Sequence, residues 1–524
     1  MKKNKYVSTF FLLLLFLVSC TKDFESLNVN PNAQTTGESA YLLTSAQITA
    51  ARAILDDYNA GLCKWVQYYT HRPEDNVAFW HKSGNDIDTY WNYYSFYVDI
   101  LPNLKVIRDN CEKTPHRNYW ALANIMEAWS YTYLVDMWGK VPYTHALHGT
   151  SPDSEDPDYY FPLFDDEDFI YKAMIQKLFF ANDSIETSAT TKYPIIAASD
   201  AYANGDLLMW KKFCNTLNLR LLLRMSDVDA AYAKPLFEMI VSNPAKYPVI
   251  SSNDEDFGIV WIGGNKGPWE NQIAMMYEES ENTYPVSTGV LYYLATMNDP
   301  RLPVLVDPAK DYVKAGNPKY VGCPPAFIRI NPSGFIRMGR DSISNISVAT
   351  FADPNRKEPI ITYAELQFIL AEAALKSWNV PSSAKQYYES GINASMEKYN
   401  VPIGGYLAEP KVNYDLSTNK LETIILQRYL AQFGQGANTF AMMRRTGYPA
   451  LDFFKIDEDD VKGFPYRVKY TELIQENPGF IKSNAGEGII SDMWGKKLWW
   501  ATGAPEVQMF NQTIQTGPVV WPVN

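Results

Sequence analysis

The stretch YWALANIMEAWSYTYLVDMWG, residues 119–139, decides the fold class of this chain. Its large apolar side chains stand at i, i+3, i+4, i+7 and i+11 counted from Leu122, which places them in one stripe along an α-helix. These are Leu122, Ile125, Met126, Trp129 and Tyr133. Gly139 follows at the position where a glycine often ends a helix. The pattern predicts a long helix over 119–138.

The same signals recur along the chain. Apolar periodicity predicts a helix over 206–225, and Glu422 begins another that runs to Phe433. Capping boxes at Thr362 and Ser383 each open a helix. Several helices come in pairs joined by short turns, which resembles tetratricopeptide helical hairpins. We therefore predict a mostly α-helical scaffold.

Long stretches without helical periodicity separate these helices, at 139–168, 241–290, 300–360, 401–418 and 451–500. Loops of this length in a compact protein are functional or disordered. Their content of Trp, Tyr, Pro and Gly disfavours disorder. The sequence thus predicts a binding face rich in long loops.

The composition narrows the function classes. The net charge is −12 and the Lys and Arg residues are scattered, which argues against nucleic acid as a partner. The chain contains 36 Tyr, 25 Phe and 14 Trp. Tyr and Trp combine a large apolar ring with a polar group, and their abundance is typical of binding surfaces as well as of large cores.

The N-terminus indicates export and lipid anchoring. Lys2, Lys3 and Lys5 precede an apolar run over 10–18 that is too short to span a bilayer but suits a signal peptide. The run ends in Leu-Val-Ser-Cys, which resembles the lipobox of bacterial lipoproteins. We predict a signal peptide over 1–19, a lipidated Cys20 with a polar tether over 20–40, and a single domain over 41–524.

Four further cysteines leave three disulfide pairings open: Cys63, Cys111, Cys214 and Cys323. Their spacings are long and irregular. Cys63 and Cys214 lie in apolar, helical surroundings, so we predict that these two are buried free thiols.

Catalytic and metal-binding motifs are missing from the sequence, with no H-E-x-x-H, G-x-S-x-G or phosphate-binding loop. His145 and His148 could hold a metal, and acidic runs at 153–168, 254–256 and 457–460 could bind calcium, but a solvated acidic face is favoured. A glycosidase needs two positioned carboxylates, and nothing marks out a pair. We predict no cofactor.

Taken in order, a set of short strings resembles the SusD/RagB family of nutrient-binding outer-membrane lipoproteins, in its SusD-like branch. The strings lie at 24–32, 128–131, 134–143, 210–213, 218–220, 363–365, 371–374, 427–433, 444–449 and 498–500. The sequence departs from the family pattern at one string. The family often has Arg-x-x-Tyr-Pro near the C-terminal region, and here Arg467 and Tyr470 are present, but Thr471 replaces the proline.

The resemblance implies a scaffold of four tetratricopeptide-like hairpins and no enzymatic activity. It implies a lipid-anchored position on the outer membrane, facing the cell exterior. It also implies a partner, a TonB-dependent transporter barrel (SusC-like), over which the lipoprotein sits as a lid.

Two aromatic-rich segments on predicted loops are the candidate ligand site. The first includes Trp80 and Trp91, and the second includes Trp261, Trp269 and Tyr284. A flat ring can stack on the apolar face of a sugar while neighbouring amides and carboxylates bond its hydroxyl groups. We predict that at least two of these five residues line the site.

Glycan capture and delivery to the transporter is the leading interpretation. Peptide capture in the same role is the first alternative. A secreted glycoside hydrolase with an unrecognised carboxylate pair and a purely structural scaffold are alternatives from other classes.

The Cys20 assignment gives a direct prediction. Cys20→Ala removes the thiol that carries the lipid, so the variant should lose acylation and leave the membrane fraction. Cell fractionation with metabolic labelling by a fatty-acid analogue measures both. A variant that stays acylated and membrane-bound would contradict the assignment.

Overall fold

The computed structural model of the chain describes residues 39–53, 60–70, 93–113, 115–148, 160–263, 270–271, 273–274, 284–323, 339–451, 464–485, 495–503 and 519–522. The predicted signal peptide, Cys20 and nearly all of the predicted tether lie outside these residues.

Helices make up most of the described chain, which confirms the mostly α-helical prediction. In chain order they are α1 Ser39–Ala53, α2 Ala60–Trp65, α3 Leu101–Lys113, α4 Arg117–Trp138, α5 Glu167–Ser184, α6 Leu207–Arg224, α7 Ala230–Ser242, α8 Thr288–Thr296, α9 Leu302–Leu305, α10 Lys310–Lys314, α11 Val348–Phe351, α12 Tyr363–Leu375, α13 Ala384–Lys398, α14 Lys420–Ala431, α15 Gly436–Thr446, α16 Glu472–Gln475 and α17 Pro478–Ser483. A π-helical turn, Phe96–Ile100, leads directly into α3. Consecutive helices pack on each other from α3 to α7, and α12 packs on α13 and α14.

Short antiparallel strand pairs join segments that are far apart in the sequence. The strands are β1 Val141–Pro142, β2 Phe164–Asp165, β3 Phe257–Val260, β4 Val306–Asp307, β5 Lys319–Gly322, β6 Asn345–Ile346, β7 Lys357–Ile361 and β8 Val519–Pro522. Within the described residues they form the pairs β1–β2, β3–β7, β4–β6 and β5–β8. The stretches predicted as irregular loops therefore carry their own hydrogen-bonded framework.

The predicted helix over 119–138 is α4, which begins two residues earlier and ends at Trp138. Nearly all of its side chains are buried, including the polar Glu127 and Asp136. A single apolar stripe predicts burial of one face of the helix. Nearly all faces are buried instead, because α3, α5, α6 and α15 all contact the helix. It is the central helix of the molecule.

Side-chain caps set the helix starts. Asp206 caps α6, and Ser383 forms the predicted capping box with Gln386. The predicted start at Glu422 is two residues late, because the Asn419 side chain caps α14 from one turn earlier. Thr362 caps α12 by accepting a hydrogen bond from the backbone N–H of Glu365, but the Glu365 side chain does not bond back to Thr362, so only half of the predicted capping box forms.

The Glu365 side chain binds two buried arginines. Its carboxylate accepts hydrogen bonds from Arg220 Nε at 2.8 Å and from Arg428 Nη2 at 2.8 Å. All three side chains are at least 96% buried, and they join α6, α12 and α14. Burial by itself raises the pKa of Glu365, but attraction to the two arginines outweighs it and the pKa lies below its ordinary value.

The C-terminal segment attaches to the end of α4. The last three carbonyls of the helix, at 136–138, accept hydrogen bonds from Arg444 Nη2, Val468 N and Arg467 Nη1 at 2.5, 2.8 and 3.0 Å. Gly139 follows with φ of +92°, and a Cβ there would lie 2.7 Å from Glu167 Oε1. The chain can therefore turn away from α4 at this point only with glycine.

The four cysteines beyond Cys20 are all buried, and none of them forms a disulfide. This confirms the prediction for Cys63 and Cys214 and settles the open pairing. Burial raises the pKa of the Cys63 and Cys214 thiols, so both stay protonated and unreactive near neutral pH.

Glu365→Gln should strongly destabilise the protein, because it leaves two buried guanidinium groups without a carboxylate. Breaking a buried ion pair from one side costs about 3–5 kcal/mol. Since the pKa of Glu365 is lowered in the fold, its contribution is complete above the ordinary value of 4.5 and is lost as the pH falls through the folded-state pKa. Chemical denaturation at neutral and acidic pH measures the free energy of unfolding.

Asp109→Asn is the matched control, because it removes one partner of an exposed i, i+4 pair with Lys105. It should change the free energy of unfolding by less than about 1 kcal/mol. Equal effects of the two substitutions at neutral pH would contradict the role assigned to Glu365.

Candidate functional site

A surface recess of about 510 Å³, counting space open to solvent, lies beside Tyr284. We call it the Tyr284 recess. Its walls come from the ends of β4 and β6 and from the helices that follow them, α10 and α11. The lining residues are Ile273, Tyr284, Asp307, Pro308, Lys310, Asn345, Ile346, Ser347, Val348, Phe351 and Ala352.

Strand β6 holds the floor of the recess in place from both sides. On one side it pairs with β4, where Asn345 faces Asp307. On the other side Asn345 forms an isolated bridge with Pro285, and Ile346 N donates to Tyr284 O at 3.1 Å. Three distant stretches thus meet at one point, and Tyr284 is fixed at their edge.

A row of aromatic rings supports Tyr284 from behind. Its ring centroid lies 5.4 Å from that of Tyr69, which in turn lies 5.9 Å from Phe433. Phe433 contacts Phe351, a buried ring that also lines the recess, at 5.4 Å. The Tyr284 side chain is half-buried, so part of the ring surface remains open to the recess. Contacts of this kind restrict the ring to one orientation.

Polar groups of the recess suit a ligand rich in hydroxyl groups. Asn345 Oδ1 is buried and has no hydrogen-bond partner among the described residues. Asp307 Oδ2 accepts a hydrogen bond from Val348 N at 3.0 Å, which orients the carboxylate. Lys310 is exposed at the rim. The recess is therefore lined by an amide, a carboxylate and a cation beside an aromatic ring.

The structure separates the five predicted site residues. Tyr284 lies in the recess, whereas Trp80, Trp91 and Trp269 lie outside the described residues. Trp261 is 1% exposed and belongs to the hydrophobic core, where it follows β3 and its backbone N–H donates to Arg356 O. It presents no open ring face, so the prediction that Trp261 stacks on a ligand is wrong in this structure.

Sequence reasoning did not single out Asp307, Lys310 or Asn345. Asp307 and Asn345 lie in strands of two residues, too short for a recognisable alternating pattern, and Lys310 begins α10 shortly after β4. Nothing in the sequence connects Asp307 with Asn345, which faces it across the β4–β6 pair.

A second recess, of about 470 Å³, lies between α4, β7 and α15. Trp129 and Tyr133 of the α4 stripe line it, together with Glu358 and Asn438. The two aromatic side chains are only 4% and 7% exposed, so they pack within the core and offer no open stacking face.

Two acidic side chains of the predicted 254–256 cluster bind the protein itself. Glu255 accepts hydrogen bonds from Lys212 and Ser251, and Asp256 accepts one from Tyr363 N. No group of three or more possible metal ligands occurs among the described residues. The acidic run at 457–460 lies outside them.

The arrangement is a helical scaffold with a surface recess among its long loops. Residues 31–471 match the family profile described as SusD-like, starch-binding associating with outer membrane. The chain therefore belongs to the SusD-like family. This confirms the family resemblance and makes the chain a non-catalytic binding protein associated with the outer membrane.

Solved structures share the fold. A chitin-binding SusD homologue from Flavobacterium johnsoniae is 21% identical, covers 89% of this chain and 98% of its own, and superposes with a TM-score of 0.70. A SusD homologue from Bacteroides fragilis is 23% identical, with coverage of 89% and 99% and a TM-score of 0.70. A SusD-like protein from Bacteroides thetaiotaomicron is 23% identical, with coverage of 88% and 99% and a TM-score of 0.71. No curated protein matches the sequence significantly.

Proposed function

We propose that this protein captures an oligosaccharide in the Tyr284 recess and delivers it to a TonB-dependent transporter in the outer membrane. The carrying observation is the half-buried Tyr284 ring, which lines the recess together with the amide of Asn345 and the carboxylate of Asp307. An amide oxygen accepts a hydrogen bond from a sugar hydroxyl, and the ring covers the apolar face of the same sugar. The family description and the chitin-binding relative support a glycan ligand.

A peptide ligand is the main alternative. Extended peptides commonly bind by adding a strand to an open sheet edge. Strand β6 offers no such edge, because it pairs with β4 on one side and contacts the 284–286 stretch on the other. Binding in the recess therefore depends on side chains, which favours a sugar.

A hydrolase is also disfavoured. Glycoside hydrolysis uses two carboxyl groups on opposite sides of the scissile bond. Among the described residues that line the recess, Asp307 is the one carboxylate. The described lining therefore supplies only one of the two acid groups that cleavage needs.

Calorimetry with starch- and chitin-derived oligosaccharides tests the ligand and the site together. Tyr284→Ala should weaken binding by about 1 kcal/mol, roughly fivefold in Kd, through loss of the stacking ring. Asn345→Ala should weaken it by a similar amount through loss of one hydrogen bond, about 1 kcal/mol. Tyr292→Ala, at a 46% exposed tyrosine on α8 that does not line the recess, should leave the affinity unchanged.

The outcomes separate the claim about the site from the claim about the ligand class. Unchanged glycan binding by both recess variants would show that the site lies elsewhere. Binding of peptides but of no glycan would replace the proposed ligand class with the alternative.

The transporter partnership predicts co-purification. Affinity-tagged full-length lipoprotein, extracted from outer membranes in mild detergent, should bring with it a large β-barrel protein that an untagged strain does not yield. Mass spectrometry identifies the barrel. If chemical crosslinking before extraction also recovers no barrel, the proposed partner is wrong, even where glycan binding is intact.

A further inference from the structure

The central helix α4 is capped by a histidine ring. Nδ1 of His116 accepts a hydrogen bond from the backbone N–H of Tyr119 at 3.3 Å, and the His116 carbonyl accepts one from Trp120 N at 3.1 Å. The other side-chain caps that the structure describes are oxygen atoms, which is the usual arrangement. They belong to Asp206, Asp229, Ser287, Thr362, Ser383, Asn419 and Asn477. Only the cap of α4 can therefore be lost by protonation near neutral pH.

The His116 ring also packs against the two tyrosines that attach the segment 186–199 to α4. Its centroid lies 4.7 Å from that of Tyr119 and 5.4 Å from that of Tyr193. Beside it, Asn118 Nδ2 donates to Tyr193 O at 2.7 Å, and Ile196 N donates to the Tyr119 hydroxyl at 3.2 Å. The cap of α4 and the attachment of the 186–199 segment thus depend on the same four positions at the start of the helix.

The 186–199 segment connects the start of α4 with two further helices. Thr44 Oγ1 of α1 donates to Ser199 O at 2.6 Å. Asp200, the next residue, accepts hydrogen bonds from Gln47 Nε2 of α1 at 2.9 Å and from Trp210 Nε1 of α6 at 2.7 Å. One continuous stretch of chain therefore holds α1, α4 and α6 together, and His116 lies where this stretch meets α4.

The cap requires a neutral imidazole, because a protonated ring has hydrogen on both nitrogens and accepts no hydrogen bond. The charged ring would also lie at the N-terminus of α4, the positive end of the helix dipole. Burial lowers the pKa of His116, and the carbonyls of His116 and Pro194 oppose this shift only in part. The stabilisation from His116 is therefore complete above the ordinary pKa of 6.5 and is lost as the pH falls from there through the lower folded-state pKa.

Charged neighbours of His116 nearly balance each other. The ionisable groups on the elements around it are Cys111, Glu112 and Lys113 of α3, Arg117 and Tyr119 of α4, and Glu186, Lys192 and Tyr193 of the 186–199 segment. The two carboxylates and three cations are exposed or half-buried, so water screens their effect on the ring. The Cys111 thiol bonds to the His116 carbonyl, and burial raises its pKa, so it stays neutral. Burial and the cap geometry therefore decide when His116 takes up a proton.

We propose that His116 makes the attachment of the 186–199 segment to the central helix dependent on pH: firm while the ring is neutral, and loosened once the ring is protonated. Acidification then frees Tyr119 N from its cap and weakens the packing of the ring against Tyr193. The contacts of α1 and α6 with the same stretch of chain loosen with it. This pH response goes beyond ligand capture, because the Tyr284 recess is lined by other stretches of the chain.

Hydrogen exchange of the full-length protein, measured by mass spectrometry at about pH 7.5 and about pH 5, tests the proposal on either side of the ordinary pKa of 6.5. After correction for the intrinsic effect of pH, peptides covering 115–122 and 186–199 should exchange about fivefold faster at the lower pH, as expected for the loss of one cap. His116→Asn keeps a cap that does not titrate, so it should remove this response. His116→Ala should give fast exchange at both pH values. His148→Asn, at a histidine that caps no described helix, is the matched control and should respond like the wild type.

Two results of the exchange experiment would overturn the proposal: an equal pH response in the wild type and in His116→Asn, or a response in 115–122 with none in 186–199. A nuclear magnetic resonance titration of the wild type checks the protonation step without depending on the folding of a variant. His116 should titrate below 6.5, and a midpoint at or above this value would also refute the proposal. Glycan affinity is measured independently, so failure here leaves the proposed function standing.

Discussion

The last three carbonyls of α4, at 136–138, bind two arginines and one backbone amide that come from more than 300 positions later in the chain (Arg444, Arg467 and Val468). The final carbonyls of any helix lack partners within the helix, and they form the negative end of its dipole. The buried guanidinium groups donate hydrogen bonds to these carbonyls and also place positive charge at the negative end of the dipole. Because α4 is surrounded by α3, α5, α6 and α15, fixing its end also fixes the relative positions of the hairpins and of the C-terminal segment.

The same arginine-rich interior explains how so many charges are tolerated in the core. Asp136 pairs with Arg224, Glu365 with Arg220 and Arg428, and Glu372 with Arg445. A buried ion pair adds little net stability compared with an apolar pair, but removing one partner is very costly. These pairs lie between helices that are distant in sequence, so they select one packing arrangement rather than simply strengthening it.

The helices could be predicted because their signals are local. The stripe in α4, the Ser383 capping box and the buried surroundings of Cys63 are all readable within a few residues, and the family strings covered nearly the whole chain. Strands could not be predicted, because pairs such as β4–β6 are two residues long and join positions 38 and 40 apart. Trp261 was misplaced for a related reason: it follows β3, which pairs with β7 a hundred residues later and so carries the ring into the core. Within the candidate site, the sequence identified Tyr284, because an aromatic residue on a polar loop is a local signal. It did not identify Asp307 and Asn345, which line the same recess.

The Tyr284 recess exists only when the chain is folded, because its walls come from stretches around 284, 307 and 345 and its support from Tyr69 and Phe433. A ligand held there binds the native state and has no equivalent site on the unfolded chain. Thermodynamic linkage then raises the free energy of unfolding by RT ln(1 + [L]/Kd), about 2.7 kcal/mol at a ligand concentration a hundred times Kd. Proteases that attack transiently unfolded molecules therefore find fewer of them when sugar is abundant. A receptor built in this way is protected by its own nutrient, and it is most vulnerable to degradation when the nutrient is scarce.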